Sequence, residues 1–331
     1  MSSNFRAIVA EKDAEGQTSV SIKDINEQEL PEEKVLIEVE YSTLNYKDGL
    51  ALTNTAPICQ KFPMVCGIDL AGTVQQSSDN RFKQGDAVLV NGYGLSERHW
   101  GGFSQKQRVN PEFLVKIPEA FNAKEAMAIG TAGYTAMLAV NAIRDHGITN
   151  GDGSILVTGA AGGVGSVSIM LLSKLGFDVT ACTGRPELDS YLVSLGAKSI
   201  ITRDSLARKS KPLEKEEWIA VIDSVGSNTL ATSLAQMGYG GLVTACGLAG
   251  GADLPSTVIP FLLRGVTLKG VDSVMAPMDK RQRAWNDLAA LLDKDSLTSV
   301  TTVEPLEKAI SLGKSIIAGQ IKGRVVIDVN S

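Results

Sequence analysis

Histidine is almost absent from this 331-residue chain: His99 and His146 are the only two. Its four cysteines, Cys59, Cys66, Cys182 and Cys246, form no Cys-x-x-Cys pair. Spacing alone therefore assembles no zinc cluster. Thiols so few and scattered read as reduced and mostly buried, as in a cytosolic protein. The first residues, MSSNFRAIVAEKDAEG, lack the basic stretch and apolar core of a secretory signal. No apolar run approaches the roughly 20 residues that span a bilayer. Basic excess is missing too: the net charge is −5, which weighs against a broad nucleic-acid surface but not against a local phosphate pocket. Internal repeats and low-complexity tracts are lacking, and Lys209–Glu217 reads as a charge-rich, solvated loop.

What is present is a hydrophobic fraction of 44% in a chain long enough for two cores. The first third reads as short strands and turns: Phe5–Ala10, Val35–Tyr41 with its period-two alternation, Ala71–Gln75 and Ala87–Val90, the last two separated by a turn at Gly85-Asp86. Such spacing points to a small barrel-like β domain. Apolar residues then fall at helical spacing over Ala123–Ile143, interrupted around Gly130–Gly133. Beyond it strands and helices alternate: strands at Ser154–Thr158, Phe177–Cys182, Lys198–Ile201, Trp218–Asp223, Gly241–Cys246 and Val266–Val271, with helices from Gly163, at Leu188–Leu195 and at Thr229–Met237. That alternation predicts a parallel sheet covered on both faces, an α/β arrangement. Two helices, Lys280–Leu292 and Leu306–Ala318, and a helix-less strand, Arg324–Val329, close the chain. The last strand is expected to return to the first domain.

The most informative segment is the glycine-rich turn between the first of these strands and its helix, Ala160-Ala161-Gly162-Gly163-Val164-Gly165. In the pattern G-x-G-x-x-G the first glycine is replaced by Ala160, although Gly159 stands just before it. Gly162 would let the backbone approach a pyrophosphate, Gly165 would let the helix pack against the strand, and Gly162, Gly163, Val164 and Gly165 together would hold the phosphates at the helix N-terminus. The absence of a Gly-Lys-Ser/Thr ending excludes a P-loop. A fold preferring NAD places an acid after the second strand; here Thr183-Gly184-Arg185 follows instead. Arg185 can pair with a 2′-phosphate and Thr183 can add a donor, so NADPH is the expected cofactor. Arg203, after the third strand, is a further candidate for that phosphate and equally well a surface residue.

These features sit beside Leu44-Asn45-Tyr46-Lys47-Asp48, Gly67-Ile68-Asp69-Leu70-Ala71-Gly72 and Gly130-Thr131-Ala132-Gly133-Tyr134-Thr135. With them the whole chain resembles the zinc-free quinone-oxidoreductase branch of the medium-chain dehydrogenase/reductase superfamily. Asn91–Gly102, Ala245–Gly251 and Gly270–Val274 make it most similar to the acryloyl-CoA reductases. The resemblance implies a GroES-like catalytic domain over residues 1–122, completed by 275–331, and an NADPH-binding Rossmann domain over 123–274. Where zinc-dependent relatives place metal ligands, this chain has Asn45 and Ile68, so no metal is expected. It implies NADPH-dependent reduction of acryloyl-CoA to propionyl-CoA, with hydride added to the β-carbon and a proton to the α-carbon. A quinone or general enone reductase uses the same cofactor site and stays open as an alternative, as does a non-catalytic NADPH-binding protein.

Tyr46 is the candidate donor to the enolate oxygen, or else it only lines the nicotinamide pocket; a tyrosine phenol is protonated at neutral pH. Asp69 is a candidate catalytic acid or merely a brace for its turn. Leu248 and Ser273 should contact the nicotinamide half. His99 and Trp100 lie in a loop that could close over substrate or be structural. Arg324, with Lys322, is a candidate contact for the phosphates of coenzyme A; a solvated edge strand accounts for both equally well. The expected partners are a small acyl-CoA thioester and, through the edge strand Val266–Val271, a second copy of the chain in a homodimer.

Overall fold

The computed structural model describes residues 4–331, so Met1–Ser3 lie outside it. The chain forms two compact units. One contains the residues up to Thr131, Ser273–Met275 and Leu297–Ser331; the other contains Ala132–Asp272 and Ala276–Ser296.

The second unit is built on six parallel strands. From one edge their order is Ser199–Thr202, Asp178–Thr183, Ser154–Val157, Trp218–Asp223, Met237–Ala245 and Thr267–Gly270. In chain order this is 3-2-1-4-5-6, the doubly wound dinucleotide-binding arrangement. The central strands are buried along most of their length, with Ile155, Leu156 and Val157 beside Ala220, Val221 and Ile222. Helices Gly163–Lys174 and Ser227–Ala235 supply further core residues. The strand order reverses between Ser154–Val157 and Trp218–Asp223, and ligands bind outside the carboxyl ends of strands at such a point.

The first unit holds a mostly antiparallel sheet. Arg324–Asp328 pairs antiparallel with Val35–Thr43 and parallel with Thr301–Pro305. Val35–Thr43 also pairs with Asp69–Ser77, which continues to Ala87–Asn91. The closing strand is thus interior, and it returns to the first unit as its lack of a helix implied. A smaller sheet joins Thr18–Asn26, Asn4–Lys12 and Met64–Val65. Ile8, Ile37, Val39, Leu70, Phe103 and Ile327 belong to one apolar core within this unit.

Helix Ala123–Asp145 corrects the sequence reading on one point. It is 23 residues long, and by length and composition it is apolar enough to cross a membrane. Here it is a core helix, mostly buried inside the protein. It breaks at Gly130, whose φ of 51° and ψ of −164° are not helical.

Candidate functional site

In the nucleotide unit, the turn after Ser154–Val157 is shaped by three glycines. Gly159 has φ of 57°, a left-handed conformation, and its carbonyl accepts from the N–H of Gly162 at 2.9 Å. Gly159 therefore makes the sharp turn that the pattern assigns to its first glycine. Gly162 precedes the helix, and the helix begins at Gly163 with Val164 and Gly165 in its first turn. A Cβ on Gly165 would lie 2.5 Å from the Gly159 carbonyl oxygen and 2.6 Å from the Ala160 Cα. Only glycine lets this helix seat so closely on the turn, and the seating presents its unpaired N–H groups to a ligand.

The carboxyl ends of the first and fourth strands are tied by Asp223. It is buried and accepts from the Thr158 hydroxyl at 2.7 Å and from the Gly226 N–H at 2.8 Å. Burial raises its pKa, and these hydrogen bonds oppose the rise. Asp223 ends the apolar strand WIAVID, but nothing in that pattern distinguishes a strand-end brace from a surface acid.

At the end of the second strand, the Thr183 hydroxyl accepts from the Arg185 N–H at 3.1 Å, which curls the chain at Gly184. Arg203 lies against that curl: a Cβ on Gly184 would sit 2.5 Å from the guanidinium carbon of Arg203. The structure thus brings Thr183, Gly184, Arg185 and Arg203 together. Burial is the main cause lowering the Arg185 pKa, and the Arg203 charge adds to it. The Arg203 charge is felt at Arg185, and a phosphate bound beside both would favour the two cations. Leu248 follows the fifth strand in a loop and is 60% exposed.

The first unit holds a second polar constellation. Asn45 precedes the short helix Tyr46–Leu52. Asp48, three residues on, accepts from the Asn45 N–H at 2.8 Å and from the Ile68 N–H at 2.9 Å. The Asn45 amide also donates to Asp69 at 2.7 Å, linking the two carboxylates. Asp69 further accepts from Asn91 at 2.7 Å and from the N–H and hydroxyl of Thr131 at 2.9 and 2.5 Å. Burial, with the Asp69 charge adding, pushes the Asp48 carboxyl up to about 7. The helix itself is seated by small residues, since a Cβ on Gly49 would lie 2.5 Å from Ile316 on helix Ala309–Ile317. Tyr46 stands at its first position, 38% exposed.

Arg324 corrects the sequence expectation. It is only 2% exposed and lies on neither an edge strand nor a solvated one. Its guanidinium donates to the Ala128 carbonyl and to the Thr43 hydroxyl, each at 2.8 Å. A group so enclosed braces the Asp69 constellation and does not reach for the phosphates of a ligand. Ser273 also lies in this unit, where its carbonyl and the Val274 backbone crowd Gly92. His99 meets the Phe113 ring edge-on, and the Trp100 indole donates to the Pro63 carbonyl at 3.2 Å.

The family described as alcohol dehydrogenase GroES-like domain matches residues 31–119, and the one described as zinc-binding dehydrogenase matches residues 163–294. The acrylyl-CoA reductase AcuI of Ruegeria pomeroyi is 52% identical over 99% of this chain and 100% of its own length. The chain belongs to the medium-chain dehydrogenase/reductase superfamily, in its acryloyl-CoA reductase-like group. The putative quinone oxidoreductase YhfP of Bacillus subtilis is 43% identical, over 99% of each chain. Among solved structures, Escherichia coli K-12 YhdH with bound NADPH superposes with a TM-score of 0.95 at 48% identity, covering 98% of this chain and 100% of that one.

Within this superfamily the two positions read as replacing zinc ligands have other duties here. The Asn45 side chain bridges Asp48 and Asp69, and the Ile68 N–H anchors Asp48. Sequence reasoning gave no role to Asp48, Asn91 or Thr131. Asp48 was visible as part of Leu44–Asp48, but its partner at Ile68 is 20 residues away and is made only by the fold.

Proposed function

We propose that this protein is an NADPH-dependent reductase of the acryloyl-CoA C=C bond. The cofactor reading is supported by Arg203 lying against Gly184, the residue before Arg185 at the end of the second strand, together with the glycine-shaped helix N-terminus. The turn accommodates a pyrophosphate and the two arginines accommodate a 2′-phosphate. The substrate reading is supported by the 52% identical acrylyl-CoA reductase.

Bound NADPH supplies the hydride. Gly162, Gly163, Val164 and Gly165 would hold its pyrophosphate, Thr183, Arg185 and Arg203 its adenosine phosphate, and Leu248 and Ser273 would each contact the nicotinamide half. Hydride addition at the β-carbon moves electron density onto the thioester oxygen. The Tyr46 hydroxyl donates to that oxygen and lowers the energy of the enolate. Protonation of the α-carbon then completes propionyl-CoA. Asp69 and Asp48 are positioning residues in this scheme: through Asn45 they fix the start of the helix that carries Tyr46. In the cell the protein is a cytoplasmic homodimer paired through the exposed edge strand Thr267–Gly270. Four free thiols support the compartment, and the adjacent exposed side chains of Leu262 and Leu263 support the pairing.

The test follows NADPH absorbance with purified protein and acryloyl-CoA, with NADH and a quinone in parallel. Oxidation of NADPH by acryloyl-CoA is expected. Turnover with quinone alone moves the function to the quinone reductase reading, which the 43% identical YhfP also supports, and no turnover with any acceptor leaves a binding protein. Tyr46→Phe is expected to lower kcat by about a hundredfold, the typical effect of removing one oxyanion donor. Its NADPH affinity should stay close to that of the parent, and unchanged turnover removes Tyr46 from the role of donor.

A further inference from the structure

In the first unit, a cavity of about 440 Å³ opens between Lys61–Met64, the loop Leu95–Trp100 and Arg108–Phe113. None of its walls has a part in the scheme above. One side is aromatic. The Trp100 ring is held by its hydrogen bond to Pro63, and Phe113 is braced by stacking on Tyr93 with centroids 4.6 Å apart. The charged lining consists of Lys61, Arg98 and Arg108 against a single carboxylate, Glu33. Neighbouring cations are engaged: Lys47 pairs with Glu97 at 2.6 Å and Lys106 with Glu27 at 2.7 Å. The three lining cations form no such pair among the described residues.

The cavity is too large for a bare anion and falls in the range of small-molecule sites. Its fixed indole offers a face for a planar base, since base stacking on aromatic rings is favourable and tolerant of base identity. Arg98 is oriented by the chain beneath it. Gly94 has φ of 80°, and a Cβ there would lie 3.1 Å from the Arg98 guanidinium, so glycine lets the side chain fold down over its own loop. A second cleft shares Pro31, Glu33 and Arg108 with the cavity and adds Glu27 and Glu32, so the part of the cavity that suits an anion is the one with Lys61 and Arg98. Burial is the main cause holding the His99 imidazole below its usual pKa.

We propose that this cavity takes an adenosine phosphate, with the purine on Trp100 and the phosphate at Arg98 and Lys61. The Glu97–Lys47 ion pair ties the Arg98 loop to the helix that begins at Tyr46, which fits the phosphoadenosine end of coenzyme A; that source rests on the proposed function. A free nucleotide carries the same chemistry.

The full chain, first saturated with NADPH so that its nucleotide turn is filled, is titrated calorimetrically with adenosine 3′,5′-bisphosphate. Saturable binding is expected, weakened about tenfold or more in Arg98→Gln/Lys61→Gln, the loss anticipated from removing charge-assisted hydrogen bonds. Both residues are exposed, and circular dichroism checks that the variant is folded. Absence of saturable binding in the parent, or equal binding by the variant, overturns the proposal. The source is read from KM. A rise for acryloyl-CoA, but not for the acryloyl thioester of N-acetylcysteamine, assigns the site to coenzyme A. Lost bisphosphate binding with both KM values unchanged assigns it to a free nucleotide. If neither thioester is reduced, the proposed function fails while the titration still decides the cavity.

Discussion

In the proposed function, Arg185 and Arg203 would make the finest discrimination asked of this chain, between two cofactors that differ by one phosphate. Each charge-assisted bond to that phosphate is worth about 1.5–3 kcal/mol. Replacing both arginines by glutamine is expected to weaken NADPH binding by about a hundredfold or more and leave NADH binding nearly unchanged. Fluorescence titration of the two cofactors checks this, and equal weakening of both overturns the assignment. Asp48 gives a second expectation at the same scale. Its carboxyl titrates at about 7 in the folded chain and near 4 when unfolded. Between those values the folded state holds a proton that the unfolded state lacks. The contribution of Asp48 to stability is therefore full below about pH 4, falls as pH rises, and is gone above about 7. Urea midpoints measured from pH 4 to 8 should show this slope in the parent and a flatter one in Asp48→Asn.

At the scale of elements, the break in helix Ala123–Asp145 is set by what surrounds it. A Cβ on Gly130 would lie 2.6 Å from Thr43 and 2.7 Å from Arg324, in a backbone conformation that L side chains rarely adopt. Gly130→Ala is expected to cost about 1–3 kcal/mol or more, measured by chemical denaturation. Its effect should fall on the Asp69 constellation, because Thr131 donates to Asp69 from the next position. The elements of the nucleotide unit were legible because their strands are apolar runs and the helix after the first strand begins at a glycine-rich turn. Trp218–Asp223 is read with its observed bounds, and the other strands of this sheet shift by a few residues. Thr18–Asn26 was missed: its apolar face is short, with Val20 and Ile22 only half-buried against the core and Ile25 alone buried. The seven-residue helix at Tyr46 is too short to show a period, and its close packing on Ile316 joins residues far apart in the chain. Arg324 was misread for a related reason. A charged residue near a chain end reads as exposed, and only the fold reveals the carbonyl of Ala128 that receives it.

For the whole molecule, the edge strand Thr267–Gly270 sets the expectation for assembly. It pairs on one side with Met237–Ala245 and is largely exposed, as are Val258, Leu262 and Leu263 nearby. Unpaired strand edges are covered or paired in stable proteins. Light scattering at micromolar concentration is expected to give twice the chain mass, and Leu262→Lys/Leu263→Lys should shift that mass toward one chain. A parent that is monomeric under these conditions removes the pairing. The same measurement bears on the nucleotide unit alone, because both the strand and the two leucines belong to it.

The antiparallel pairing of Arg324–Asp328 with Val35–Thr43 also has a consequence for biosynthesis. The six strands of the nucleotide sheet have all been made before Arg324 is translated, so that sheet can form while the rest of the chain is still on the ribosome. The first unit has the opposite history. Its strand at Val35 emerges early and finds Asp69–Ser77 and Lys106–Val109 soon after, but its end at Tyr41–Thr43 waits through the synthesis of nearly the entire polypeptide for Val326–Asp328. During that interval the Tyr41–Thr43 end of the strand is open to other nascent chains, while Val35–Glu38 can already pair with Lys106–Val109.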